Sequence, residues 1–286
     1  MLKLRYYIQL TKPTIMVLVL FTGAVALIIE GSMLNHPVQF MLILFGLYLT
    51  GGGANALNQC FERERDGQME RTKHRRPLPT GKLTPTEAFV FSILISVFGV
   101  VMFAWAFNWA SAFISLATVL FYSLFYTILL KPNTAQNIVI GGAAGAMAPI
   151  IAWVAASGTL TFAPVLMFLI IFFWTPPHFW ALALYYKKDY ISVDLPMMPV
   201  VKGDASTMNQ ILFYTVLLVL SSLAMTWYVP GFFYLAATII SGVFIIRKTL
   251  QTRQRLLRSD YFGLFKYSLI HLFVIFLAIS LDRHLF

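Results

Sequence analysis

The residues best suited to chemistry begin at Asn58. Asn58, Glu62 and Asp66 are spaced four apart. At about 100° per residue, a helix turns such residues only about 40° per step, so all three share one face. Asn55 falls near the same face, while Arg63 and Arg65 point elsewhere. Two carboxylates and an amide oxygen form an all-oxygen site, the kind that holds Mg²⁺ through few protein ligands and substrate phosphates. A solvated helix end, its Glu and Arg paired with one another, is the alternative reading of the same residues.

A basic run follows at once, with Arg71, Lys73, Arg75, Arg76 and Lys82 inside residues 71–82. Arginine offers phosphate a planar fork and lysine a point charge. Attraction to anionic headgroups accounts for any one of these cations. Acids able to hold a metal beside cations able to hold phosphate suit a diphosphate leaving group. Gly51-Gly52-Gly53 just precedes the acids. It reads first as close helix packing, with a bend or room for a bulky ligand as alternatives.

A second polar stretch ends a later apolar run. Trp174-Thr-Pro176-Pro177-His178 leads to Lys187-Lys188-Asp189. The two prolines free backbone groups and predict a kink. His178 lies about two and a half turns inward from Lys187. An ionisable residue at that depth is a functional candidate, able to ligate iron or bond a carboxylate. Packing against a neighbouring helix is the alternative. Asp194 stands five residues after Asp189 rather than four, where the chain is expected to have left the helix. The stretch from Leu195 to Lys202 and Gly203 reads as a structured loop. His36, His74, His271 and His284 are placed at helix ends or in loops and receive no role. A few Tyr and Trp near the loops could shield a carbocation with their π faces.

The elements that must position these residues cross a membrane. The 286 residues are 59% hydrophobic and 11% charged, against about 45–50% and about 25% in soluble domains. Residues 132–186 contain no Asp, Glu, Lys or Arg. These numbers exclude disorder, a coiled coil and a disulfide scaffold, and the single Cys60 forms no internal disulfide. The N-terminus shows no signal-peptide cleavage pattern and reads as a mature bacterial-type start. Runs of roughly 20 apolar residues divide the chain into nine spans. Breaks are expected after Asn35-His36-Pro37, near Asn108, at Ser157-Gly158-Thr159 and at Pro230-Gly231, with a short last span over Tyr267–Leu281.

Charge tests that count. With nine spans, all of the 21 Lys and Arg except Arg283 fall on one side. The positive-inside rule makes that side the cytoplasm and puts the N-terminus and the polar loops there. The net charge of +10 therefore reports membrane orientation rather than a nucleic-acid partner. The expectation is one domain over residues 1–286, with four-helix halves at about 13–130 and 136–248 and a ninth helix at about 265–283. In a bacterium this is a multi-pass protein of the plasma (inner) membrane, with lipid as its surroundings.

Asn58, Glu62 and Asp66, then Met69-Glu70-Arg71-Thr72 and Arg76-Pro77-Leu78-Pro79 with Gly81, resemble the first signature of the UbiA superfamily of intramembrane prenyltransferases. The resemblance runs from Thr11-Lys12-Pro13 to the last span. Pro176-Pro177-His178-Phe179, Asp189-Tyr190 and Pro196-Met-Met-Pro-Val-Val-Lys202-Gly203 resemble one branch of it, whose members farnesylate heme. The resemblance implies a nine-helix bundle around a lipid-open cavity, with its active-site loops at the cytoplasmic face. It implies farnesyl diphosphate and heme B as substrates, heme O as product and Mg²⁺ as cofactor. Asn58, Glu62, Asp66 and Asp189 become the catalytic set, and Glu62, Asp66 and Asp189 the metal ligands. Glu62 stands where many members have Asp, which keeps the carboxylate and lengthens its reach. Val193 occupies the position where other branches carry a second acid of the later motif. Arg71, Lys73, Arg76 and Lys188 fall where diphosphate is bound, and Lys202 and His178 lie in the branch's own motifs as substrate-binding residues. Pathway logic adds a heme A synthase or cytochrome oxidase assembly protein as partner. A UbiA-type aromatic prenyltransferase of quinone biosynthesis is the first rival. A transporter is a remote one, since transporters carry their ionisable groups near the midplane.

Overall fold

The structure, a computed structural model, describes residues 2–285, with side chains from 3 to 282. The described residues are helical, with no strand among them. Nine of their helices are long and apolar enough to cross a membrane. Spans one to four are Pro13–Glu30, Pro37–Phe61, Pro85–Ala106 and Trp109–Asn133. Spans five to nine are Asn137–Ser157, Phe162–Tyr185, Gly203–Trp227, Phe232–Arg255 and Arg258–Asp282. The side chain of Arg283, the lone cation assigned to the far side, lies outside the described residues.

Local chemistry sets the span ends. Pro37 and Pro85 occupy first-turn positions, where a missing N–H costs nothing. Thr84 Oγ1 accepts from Glu87 N at 3.2 Å and Glu87 Oε2 accepts from Thr84 N at 3.0 Å, a reciprocal cap on span three. Asn108 accepts from Ser111 N at 2.8 Å and starts span four. Gly158, at φ 72°, closes span five in the left-handed region. The breaks expected at Asn35–Pro37, Asn108, Ser157–Thr159 and Pro230–Gly231 all separate helices.

Two expectations need correction. The ninth span is not short: it starts at Arg258, because Lys266 sets its ammonium 4.6 Å over the Phe262 ring and does not end the helix. His271 is therefore within a span, and it is 1% exposed. Span six continues through Pro176 and Pro177 as one helix to Tyr185. A short N-terminal helix, Leu2–Leu10, also precedes span one.

The chain forms two compact units. The first comprises Met1–Asn133, Met147–Leu160 and Ser192–Asp194; the second comprises Thr134–Ala146, Thr161–Ile191 and Leu195–Phe286. In the first unit, small residues bring spans two and three close together. A Cβ on Gly99 would stand 3.1 Å from the Thr50 nitrogen, and one on Gly53 would stand 3.1 Å from the Ser96 nitrogen. Lipid tails are as apolar as side chains, so such contacts depend on close backbone approach. A Cβ on Gly51 would stand 2.9 Å from Met16 Cε, and one on Gly52 would stand 3.0 Å from Thr11 Cβ. The triple glycine thus serves packing on several sides and seats the end of span two among its neighbours. In the second unit, spans six and nine lie against span seven and span eight respectively, and against each other.

Candidate active site

The end of span two is buried although it is polar. Asn58 is 2% exposed, Glu62 4% and Asp66 3%. The helix registers a break at Glu62, and a short helix, Arg63–Gln68, follows. The i→i−4 bonds nevertheless continue, from Glu62 N to Asn58 O at 3.0 Å and from Asp66 N to Glu62 O at 2.9 Å. The fourfold spacing survives the break, and the three side chains stay on one side. The solvated alternative fits the residues between them: Arg63 pairs with Glu64 at 3.4 Å, both exposed.

Each buried polar group has a charged partner. Lys131 Nζ donates to Glu62 Oε1. Arg76 Nη1 donates to Asp66 Oδ2 and lies 3.9 Å from Glu62 Oε2. Lys12 Nζ donates to Asn58 Oδ1 at 2.7 Å, and Asn58 Nδ2 donates to Thr127 Oγ1 at 3.1 Å. Thr72 Oγ1 donates to Asp66 O at 2.8 Å and folds the short helix Glu70–Lys73 back onto the acids. Two carboxylates and three cations meet in one buried network.

Its electrostatics are uneven. Burial pushes the Glu62 carboxyl up, yet Lys131, Lys12 and Arg76 together hold it below the usual carboxylate range. Asp66 goes the other way: burial raises it, and the negative charge of Glu62 adds to burial against the pull of Arg76. Burial, then the charge of Arg76, bring the Lys12 ammonium down to about 7.

Two of these cations escaped sequence reasoning, and the backbone explains why. Lys12 has φ 53° and ψ 64°, a left-handed conformation that costs a non-glycine residue about 1–3 kcal/mol. That turn, between the N-terminal helix and Pro13, places its side chain beside Asn58. Lys131 ends Phe121–Leu130, which winds as a π-helix. Thr127 Oγ1 bonds Tyr122 O, five residues back, at 2.8 Å. Lys131 N–H bonds Tyr126 O, again five back. This winding carries Thr127 and Lys131 to the acids, and a 3.6-residue period does not foresee it. The only sequence signal was a lone lysine at a span end, which charge orientation alone would also place there.

The remaining candidates of the first unit sit further out. Lys73 pairs with Glu70 at the surface side, and Arg71 is half-buried on the same short helix. In the second unit, Asp189 is half-exposed on the short helix Lys187–Ile191. Lys188 is exposed, and Lys202 is exposed just after Met198–Val201. Lys187 donates to Asp204 Oδ1 at 2.6 Å. Asp194 has φ 50° and lies past the helix, as its spacing implied. His178 is buried between spans six and nine of the second unit, its Nδ1 2.8 Å from Ser268 Oγ.

Among the described residues, no three His, Cys, Asp or Glu side chains gather as a ready-made metal cage. The donors present at the end of span two are two carboxylates and an amide oxygen, hard ligands of the type Mg²⁺ takes. All of them are held by cations that can also hold phosphate. The set therefore fits an ion that arrives with a diphosphate and shares its oxygens.

Nine membrane-length apolar helices among the described residues, with buried acids and phosphate-type cations at the end of span two, suit an intramembrane prenyltransferase. The chain belongs to the UbiA prenyltransferase family, whose profile matches residues 19–270. Its relatives include the protoheme IX farnesyltransferase of Erythrobacter litoralis (strain HTCC2594), 46% identical over 288 residues, covering 98% of this chain and 93% of that one. The protoheme IX farnesyltransferase of Rhodopseudomonas palustris (strain HaA2) is 42% identical over 283 residues, covering 96% and 89%. In fold, the chain is similar to a digeranylgeranylglyceryl phosphate synthase, with a TM-score of 0.83, 19% identity and full coverage of both chains. It is also similar to a UbiA homolog from Archaeoglobus fulgidus bound to DMAPP and Mg²⁺, with a TM-score of 0.64, 17% identity and coverage of 96% and 99%.

Proposed function

We propose that the chain transfers the farnesyl group of farnesyl diphosphate to a vinyl group of heme B, with addition of water, giving heme O and diphosphate. The observation that carries this reading is near-full-length identity to protoheme IX farnesyltransferases, in a chain whose buried charges suit a diphosphate.

Glu62 and Asp66 would hold Mg²⁺, with Asp189 as a further ligand on the strength of the second-loop resemblance. When bound, the ion neutralises charge growing on the departing diphosphate. The protein's own part is an exchange of partners. Lys131, Arg76 and Lys12, now bonded to Glu62, Asp66 and Asn58, turn to phosphate oxygens. The acids they release would then be free to hold the metal. A buried pair broken on one side alone costs several kcal/mol, so both halves of the exchange must occur together. Arg71 and Lys73 add positive charge on the short helix that folds back onto the acids, and Lys188 and Lys202 are substrate-binding residues on the strength of the resemblance. Preorganised cations stabilise the leaving group as the farnesyl C1–O bond breaks. Apolar spans hold the farnesyl tail and keep bulk water from the allylic cation. The heme vinyl carbon bonds to C1, and one water adds to the resulting cation and loses a proton. The excess of cations in the loops supports a site at the cytoplasmic face of a bacterial plasma membrane.

The test is turnover of purified protein in detergent with heme B, farnesyl diphosphate and Mg²⁺, read by mass spectrometry with EDTA and geranylgeranyl diphosphate as controls. A Mg²⁺-dependent gain of farnesyl plus water on heme is expected. Prenylation of a hydroxybenzoate or naphthoate, with heme untouched, would overturn the acceptor and keep the family chemistry.

A further inference from the structure

His178 is fixed in one tautomer by a chain of hydrogen bonds. Its Nδ1 stands 2.8 Å from Ser268 Oγ. Ser268 Oγ is also 2.7 Å from the Phe265 carbonyl oxygen. A carbonyl only accepts, so the single serine proton is directed there. Ser268 Oγ must then accept from the imidazole. His178 therefore carries its proton on Nδ1, and Nε2 holds the lone pair.

The ring is also held in place. Trp174 stacks on it at 4.2 Å and 21°, and Phe265 covers it at 4.5 Å and 31°. Phe179 meets its edge at 5.1 Å and 87°. Trp174 Nε1 donates to the Ser268 carbonyl at 2.7 Å, so one residue of span nine anchors both rings. Nε2 has no hydrogen-bond partner among the described residues. A packing histidine gains nothing from that arrangement. A metal-ligating histidine requires it: one nitrogen is held by an outer partner and the other presents its lone pair.

His271, three residues after Ser268, is the internal contrast. Both of its nitrogens are sealed from the surface and accept or donate no hydrogen bond by geometry. The Nε2 of His178, by contrast, is not sealed from the surface.

We propose that His178 Nε2 is an axial ligand to the iron of the porphyrin acceptor, with Ser268 and Trp174 as positioning residues. This rests on the reading of heme as acceptor. Coordination forms one N–Fe bond and displaces a weak ligand such as water, with no electron transferred. It would hold the macrocycle at one height and leave its vinyl edge free to react.

The test titrates the full chain in detergent with ferric heme B and follows absorption and electron paramagnetic resonance. The wild type is expected to give an imidazole-ligated spectrum. His178→Ala should lose it, weaken heme binding at least tenfold, and recover the spectrum on addition of free imidazole. Unchanged circular dichroism and farnesyl diphosphate binding show that this variant is folded. Ser268→Ala should keep ligation with several-fold weaker binding, and His271→Ala should leave the spectrum unchanged. A wild-type spectrum from His178→Ala, or its loss in His271→Ala, overturns the ligand. Should that happen while the wild type still farnesylates heme, only the ligation falls. Should the wild type bind no heme and prenylate another acceptor, the proposed function falls with it.

Discussion

The polar stretches after span two and after span six are built differently. After span two, Glu62 and Asp66 are almost fully buried, and each is held by a cation from another part of the first unit. After span six, Asp189 is half-exposed and Lys188 exposed, and the recorded ion pair is Lys187 with Asp204, both about a third exposed. The first stretch is a prepaid charge network that a ligand must rearrange. The second carries charge at low cost near water. Charges of the same type thus do different work according to burial. The first set fixes geometry and stability together; the second can change partners with little consequence for folding.

The largest expected effect falls on the buried acids. Asp66→Asn should lower turnover by about 10³-fold or more, the scale of losing a transition-state charge contact, with the protein still folded in detergent. Near-normal turnover by this variant would remove the distinction between the two stretches.

Next comes the pair that spans the network. Lys131→Met leaves Glu62 buried without its main partner and should destabilise by about 3–5 kcal/mol. Adding Glu62→Gln should restore most of that stability, measured by thermal unfolding, without restoring turnover. Recovery of both would make the pair structural alone.

A smaller effect concerns pH. Lys12 loses its proton near pH 7, according to its depressed value. The KM for farnesyl diphosphate should rise several-fold from about pH 6 to about pH 8 as that charge is lost, and Lys12→Arg should flatten the profile because arginine stays charged. Stability moves the other way. Between about 7 and the ordinary lysine value of about 10.4, the unfolded chain binds more protons, so this group's contribution to stability rises with pH. The smallest effect belongs to the second stretch. Lys187→Met should change stability by less than about 1 kcal/mol, as for other partly exposed pairs. A loss of 3 kcal/mol there would erase the contrast.

Legibility in the sequence followed the local physics. Span number, the breaks at Asn108 and Gly158, and the shared side of Asn58, Glu62 and Asp66 are local consequences of apolar length, caps and i→i−4 spacing. Lys12 and Lys131 reach the site through a left-handed turn and a π-helix, which period-based reasoning does not contain. His271 was misplaced because Lys266 looks like a span boundary until its ammonium is seen over the Phe262 ring. The tautomer of His178 depends on a serine in span nine, far along the chain, and no local pattern discloses it.

The exchange of partners at the end of span two is tested most directly by calorimetric binding of an unreactive farnesyl thiolodiphosphate, with and without Mg²⁺, to the wild type and to Asp66→Asn. Mg²⁺ should tighten wild-type binding at least tenfold. Asp66→Asn should lose that gain while keeping its Mg²⁺-free affinity, which Lys12, Arg76 and Lys131 supply. The same Mg²⁺ gain in both proteins would contradict the exchange and leave Asp66 as a structural partner of Arg76.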